Sequence, residues 1–221
     1  MAAAADVPFP TPLSVLLREG TRAEHREAET ESFVERLLAG ELDVSAYADL
    51  AAQQLEIYTA VEEASESHRG DRRGGALVFD ELTRVPSIER DLAHLYGAGW
   101  RTQIDVLPAT RSYAARIRSV CGRLPEYAAH AYTRYLGDLS GGQVIRRMLE
   151  RHYGLSGDGL AFYTFPDIPK AKPFKDVYRE RLDGLELDAA EVEVAVAEAQ
   201  EAFRSNRAMF TELGERHRPR A

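Results

Sequence analysis

Residues 125–153 read PEYAAHAYTRYLGDLSGGQVIRRMLERHY, and one ladder runs through them: Tyr127, Ala131, Tyr135, Asp138, Gly142, Ile145 and Leu149 recur every three or four positions, the spacing of a buried helical face. Pro125 opens the element at a position where its missing N–H costs nothing, and the pattern predicts one helix to about Tyr153. Gly137, Gly141 and Gly142 fall inside it. A glycine in a helix interior costs roughly 1 kcal/mol relative to alanine, so three so close together need a reason. At i, i+4 and i+5 they strip the side chains from one patch and let the backbone approach something flat and large. The same ladder carries Asp138, a charge that burial makes expensive without a partner. It reads either as the partner of Arg134 one turn earlier or as a holder of water that supplies protons to a ligand.

Leu139 to Gln143, LSGGQ, also matches the signature loop of ABC-type ATPases. Such an enzyme needs a phosphate loop of the form G-x-x-x-x-G-K-[ST]. The one candidate, Gly154 to Gly159, is followed by Leu160 and Ala161. Nucleotide hydrolysis is excluded on that ground.

Outward from this stretch, helical spacing dominates and strand-type alternation is nearly absent. Thr11 and Pro12 predict the start of a first helix to about Glu29. A short one follows over 31–39, stopped by Gly40, and a long one from Asp43 to about His68 with the ladder Tyr47, Leu50, Gln54, Ile57, Val61. Residues 70–84 read as a loop. Further helices are expected from Pro86 or Ser87 to Gly97, from Pro108 to Gly122, over 174–185 and over 188–215. The stretch 154–172, with Phe162, Tyr163 and Phe165, reads as a long packed connection. The expectation is an all-α, single-domain fold over 11–216, with tails at 1–10 and 217–221.

The net charge of −8 argues against nucleic acid as the main partner. One cysteine, Cys121, forbids an internal disulfide and fits a reducing cytoplasm. The N-terminal residues lack the pattern of a signal peptide, and no window is apolar enough for a membrane anchor.

His25 follows Leu17 and Thr21 on the first helix's ladder, where an apolar residue is expected, and Glu29 stands one turn beyond. It reads as a hydrogen-bonded core histidine or as a metal ligand whose other nitrogen is held by a carboxylate. Arg18 and Arg22, and far along the chain Lys175 and Arg179, form two cation pairs at helical spacing. They read as solvated faces or as clamps for two carboxylates. Asn206 interrupts the apolar face between Phe203 and Phe210 on the last helix, and Tyr58 borders the face of the long one. Each is also accounted for as a satisfied buried polar group.

TRAEHREAE at 21–29, EIYTAVEEASE at 56–66, ERDLAHLYG at 89–97, EYAAHAYTRYLGDLSGGQ at 126–143, FKDVYRERL at 174–182 and AFRSNRAMFTEL at 202–213 together resemble the heme oxygenases. The resemblance implies a multi-helical fold with haem b, both cofactor and substrate, between a proximal helix and a kinked distal helix. It implies His25 as the iron ligand, Gly137 and Gly141 against the porphyrin, and Arg18, Arg22, Tyr132, Lys175 and Arg179 at the propionates. Asp138, Arg134, Tyr58 and Asn206 are implied to hold the distal water network, and Glu29, Gly142 and Phe203 to border the ring. Arginines at 18 and 22 depart from the lysines common in animal members, which leaves the contacts at these positions less defined. The implied reaction opens haem at a meso carbon, alpha by resemblance, to biliverdin, CO and iron, using O2 and electrons from a ferredoxin or flavoprotein reductase. Arg146, Arg147, Arg151, Lys175 and Arg181 are a candidate patch for that donor. The protein is expected to act as a monomer. A haem sensor or storage protein would share His25 and the cations, whereas a di-iron oxidase would want E-x-x-H repeats, of which Asp91 to His94 is the nearest match.

Overall fold

The computed structural model describes residues 11–218. Ten α-helices make up the fold: α1 (Leu13–Gly20), α2 (Arg22–Glu29), α3 (Ser32–Ala39), α4 (Val44–His68), α5 (Val85–Tyr96), α6 (Pro108–Val120), α7 (Leu124–Ala131), α8 (Gly141–Tyr153), α9 (Ala171–Asp183) and α10 (Ala189–Arg216). No strand occurs among the described residues, so the all-α expectation holds.

The core forms around α4, which packs on α5, α6 and α7, while α10 lies across α6, α7 and α2. Their meeting faces bury Tyr47, Ile57, Tyr58, Val61, Tyr113, Ile117 and Tyr127 almost completely. Each of the buried Ile and Val side chains contributes roughly 1.5–3 kcal/mol. Stops and starts follow local chemistry. Gly40 and Gly154 end α3 and α8 with φ of 74° and 65°, a left-handed conformation that a Cβ would strain. Asp188 opens α10 through a reciprocal capping box with Glu191.

Two predicted continuous helices are broken. The first parts at Thr21, whose hydroxyl donates to the Leu17 carbonyl at 2.7 Å and competes with the helical ladder. Its start also differs: Pro12, not Thr11, takes the N-cap position. The helix expected over 125–153 is α-helical to Ala131, widens into a π turn over Tyr132–Leu136, returns to α geometry at Gly137 and Asp138, and breaks at Leu139 and Ser140 before α8 starts at Gly141. Ser140, at φ −122° and ψ −88°, stands outside helical geometry. Turns of this kind occur mostly where a helix is shaped for a task.

The connection 154–170 is packed as foreseen, with Leu160, Ala161, Phe162 and Tyr163 buried. Two buried charges grip its backbone. Asp91 accepts from the amides of Ala161 and Phe162 at 2.7 and 2.8 Å, and Arg84 donates to the carbonyls of Phe162 and Thr164 at 3.3 and 2.8 Å. Asp91 thus has a structural task. Among the described residues no three His, Cys, Asp or Glu side chains converge on a metal site. His217, expected in a tail, is held by Asp49 at 2.9 Å. The tail expected at 1–10 lies outside the described residues.

Candidate active site

The break between α7 and α8 and the break between α1 and α2 face each other across a cleft of about 620 Å³. One wall is α2 and the end of α1, bringing Arg18, Arg22, His25 and Glu29; the other is the π turn and the start of α8, bringing Tyr132, Gly137, Ser140 and Gly141. Arg179 closes the mouth and Phe203 the rear. A smaller lobe of about 150 Å³ shares His25, Gly137, Gly141 and Phe203 and continues inward to Gln54, Arg134, Asp138, Gly142 and Asn206.

His25 stands on an otherwise apolar ladder, yet half of its side-chain surface is open, because it faces the cleft. Its Nδ1 lies 3.2 Å from Glu29 Oε2, and Phe203 meets the imidazole edge-on with centroids 5.3 Å apart. A carboxylate at this distance favours the proton on Nδ1, which leaves the Nε2 lone pair free, the tautomer of a metal ligand. The opposite wall is bare. A Cβ built on Gly137 or Gly141 meets nothing within 4 Å, whereas one on Gly142 meets the Tyr163 ring at 3.2 Å. Two glycines therefore keep the cleft open, and the third lets an aromatic side chain close on the helix.

Behind the bare wall lies a buried polar network. The Tyr58 hydroxyl donates to Asp138 Oδ2. Arg134 donates to Asn206 Oδ1 at 2.9 Å and to Gln54 Oε1, with its guanidinium 4.8 Å above the Tyr58 ring. Of the two readings of Asp138, the direct pair with Arg134 is not made; the cation acts on the carboxylate across the tyrosine. Burial pushes Asp138 up to about 6, against the pull of Arg134, the Tyr58 hydrogen bond and Arg84. The Tyr58 phenol is pushed well above its usual value by the same burial. Burial works against the Arg134 charge too, but Tyr58, Tyr113 and Asp138 around it push its pKa above that of an ordinary arginine. A fixed cation and a carboxylate poised near neutrality thus stand side by side.

Arg18, Arg22 and Arg179 line the mouth, each paired with a nearby carboxylate. Arg18 and Arg22 both pair with Glu19, and Arg179 pairs with Asp176 at 3.0 Å. With arginine side chains 70% and 63% exposed at the first pair of contacts, these bonds are worth little and exchange readily. Lys175 donates to Ser140 Oγ at 2.9 Å, tying α9 to the broken turn. Arg181 is drawn away from the expected patch, stacked 4.3 Å from the Phe79 ring, and Arg146 pairs with Glu150. The residues that sequence reasoning missed are Gln54, Glu19 and Gln143. Gln54 was read as one more rung of a ladder. Gln143 holds the Tyr163 carbonyl at 3.0 Å and the Asp138 carbonyl at 3.3 Å, and was noted only as part of a rejected motif.

The cleft joins an accessible imidazole, a bare parallel wall, a ring of cations and an apolar rear, a donor set and shape that fit a flat, dianionic metal macrocycle. Comparison with known proteins agrees. The profile of the family described as Heme oxygenase matches residues 11–212. Heme oxygenase of Rhodella violacea is 41% identical over 93% of this chain and 88% of its own length. Heme oxygenase 1 of Nostoc sp. is 43% identical over 89% and 84%. Among solved structures, heme oxygenase-1 of the cyanobacterium Synechocystis sp. in complex with heme superposes with a TM-score of 0.89 at 38% identity, covering 93% of this chain and 94% of that one. Heme oxygenase from Leptospira interrogans gives 0.86 at 35% identity, over 91% and 100%. By sequence, fold and the chemistry of its cleft, the chain belongs to the heme oxygenase family.

Proposed function

We propose that this chain binds haem b in the cleft, with His25 Nε2 as axial ligand, and opens it at the alpha meso carbon to biliverdin, CO and iron. O2 and electrons from a ferredoxin or flavoprotein reductase complete the reaction, and the protein works as a cytoplasmic monomer. Bound haem supplies both a redox iron for O2 chemistry and the carbon skeleton that is oxidised. The rest falls to the chain's own residues. Glu29 fixes the orientation of the imidazole. Gly137 and Gly141 leave room for O2 above the ring, and Phe203 shields the imidazole edge from water. Arg18, Arg22, Lys175 and Arg179, with the Tyr132 hydroxyl, exchange weak exposed contacts for the propionates and set the rotation of the ring.

The observation that carries the reading is the buried Tyr58–Asp138 pair beside the glycine patch of the distal wall. Asp138 Oδ2 is satisfied by the tyrosine, which leaves Oδ1 to hold a water or pass a proton on the cleft side. With a pKa near 6, the carboxyl gains and loses a proton at low cost near neutral pH, as a proton-delivering group must. A haem sensor or storage protein has no use for this arrangement. The test is a hemin titration followed by a reductant under air. One-to-one Soret development, then bilin absorbance and CO release, is expected; a complex that binds hemin and survives reduction in air rejects the oxygenase. His25→Ala should lose the nitrogen-ligated ferric spectrum, and a wild-type spectrum in that variant removes His25 from the iron.

A further inference from the structure

The cations of the mouth come from α1, α2 and α9, and one pair of hydrogen bonds joins the first of these helices to the last. α1 starts without a side-chain cap of its own: Pro12 fills the N-cap position, and the first turn has no acidic residue. The cap arrives from the far end of the chain. Ser14 N donates to Asp183 Oδ1 at 2.7 Å, and Ser14 Oγ to Asp183 Oδ2 at 2.9 Å, across 169 residues of sequence. One carboxylate thus satisfies a free helix amide, sits at the favourable end of the helix dipole and joins α1 to α9. At the other end of α1, Gln200 donates to the Gly20 carbonyl at 2.8 Å. A helix of eight residues is marginal on its own, so its placement depends on these two anchors and on buried Leu13 and Leu17.

One turn inward from the clasp stands a cleft arginine on each helix. Arg18 is at i+4 from Ser14 and Arg179 at i−4 from Asp183, and both line the mouth with Tyr132. The charges of Arg179, Arg18 and Asp183 all reach the Tyr132 phenol. Two carboxylates of one ligand gripped from two helices define a rotation only if those helices keep their spacing. We propose that Ser14 and Asp183 are positioning residues that fix this spacing, and through it the rotation of the tetrapyrrole and the meso carbon that is cut. The inference rests on the haem reading of the cleft. Neither residue touches the substrate; both act through Arg18 and Arg179.

The test uses the full chain carrying Asp183→Ala, Asp183→Asn or Ser14→Ala. In the haem-free protein, amide exchange at residues 14–16 should quicken in Asp183→Ala and stay near wild type in Asp183→Asn, whose side chain can still make both bonds with Ser14. Hemin affinity, read by Soret titration, should fall about threefold to tenfold in Asp183→Ala, the worth of a lost helix cap. Chromatography of the bilin should give one isomer from wild type and Asp183→Asn, a mixture from Asp183→Ala, and an intermediate composition from Ser14→Ala. Wild-type isomer composition in an Asp183→Ala protein that binds hemin overturns the clasp alone. A wild type that binds no hemin overturns the haem reading and the clasp's role together.

Discussion

Asp138 stands ionised at neutral pH in a place that disfavours charge. Its folded pKa of about 6 lies above the ordinary aspartate value of 3.8, so the folded protein holds the proton more tightly than the unfolded chain. Stability therefore falls as pH rises from about 4 through 6 and levels off above, a loss of about 3 kcal/mol when fully developed. Asp138→Asn removes this burden while keeping an oxygen that accepts from Tyr58. The variant is expected to be more stable than wild type at pH 7 and to lose less stability between pH 5 and 7 in urea melts, the remaining slope coming from buried Asp91, which is pushed up to about 7 in both proteins. It should still bind hemin, with the bilin-forming rate down about 100-fold or more. An Asn variant less stable than wild type at pH 7 would mean that the ionised carboxylate is net stabilising. Site residues of this kind were legible in the sequence because they break a pattern: His25, Asp138 and Asn206 each put a polar group on an apolar ladder. Gln54 was not legible. It sits in the alanine-rich run of α4, and only the fold brings it across to Arg134.

At the scale of elements, the sequence showed where helices begin and end but not where two of them break. Proline, glycine and aspartate mark termini by local chemistry, and Gly40, Asp43, Pro108 and Asp188 all act within a residue of expectation. The breaks at Thr21 and Ser140 leave the apolar ladder intact on both sides, so periodicity passes over them. What the break in the distal helix does was nonetheless written in the glycines, and their roles divide. Gly137 has helical φ and ψ of −60° and −50° and open space where a Cβ would stand, so Gly137→Ala should stabilise the haem-free protein by roughly 0.5–1 kcal/mol. The same methyl intrudes on the cleft, and hemin affinity should fall. Gly142→Ala should do the reverse of the first effect, since its methyl would press on the Tyr163 ring at 3.2 Å, and lower the melting temperature. Thermal melts of the haem-free variants beside hemin titrations separate the two; equal melting temperatures would mean that the Tyr163 contact yields freely.

Over the whole molecule, a net charge of −8 coexists with a cleft mouth and a neighbouring helix that are locally basic. An acidic chain repels an acidic electron donor at long range, so approach must be directed by a local field. Of the basic residues expected to form that field, Arg181 is engaged with Phe79, Lys175 with Ser140 and Arg146 with Glu150. Arg147 and Arg151 remain, both exposed on α8, the helix whose first turn walls the cleft. Among the described residues no acid of their own helix is bonded to either, so the two arginines are free to meet carboxylates of the proposed donor, their other use being to complement the negative end of α8. The double variant Arg147→Glu, Arg151→Glu should lower the second-order rate of ferredoxin-driven turnover by about tenfold or more at low ionic strength. It should also flatten the dependence of that rate on salt, because the steering field is what salt screens. Hemin affinity and turnover driven by a small uncharged reductant should stay at wild-type values, since neither passes through the docked complex. An unchanged rate and salt slope in the double variant would move the donor's seat off α8, to the cation-rich mouth itself.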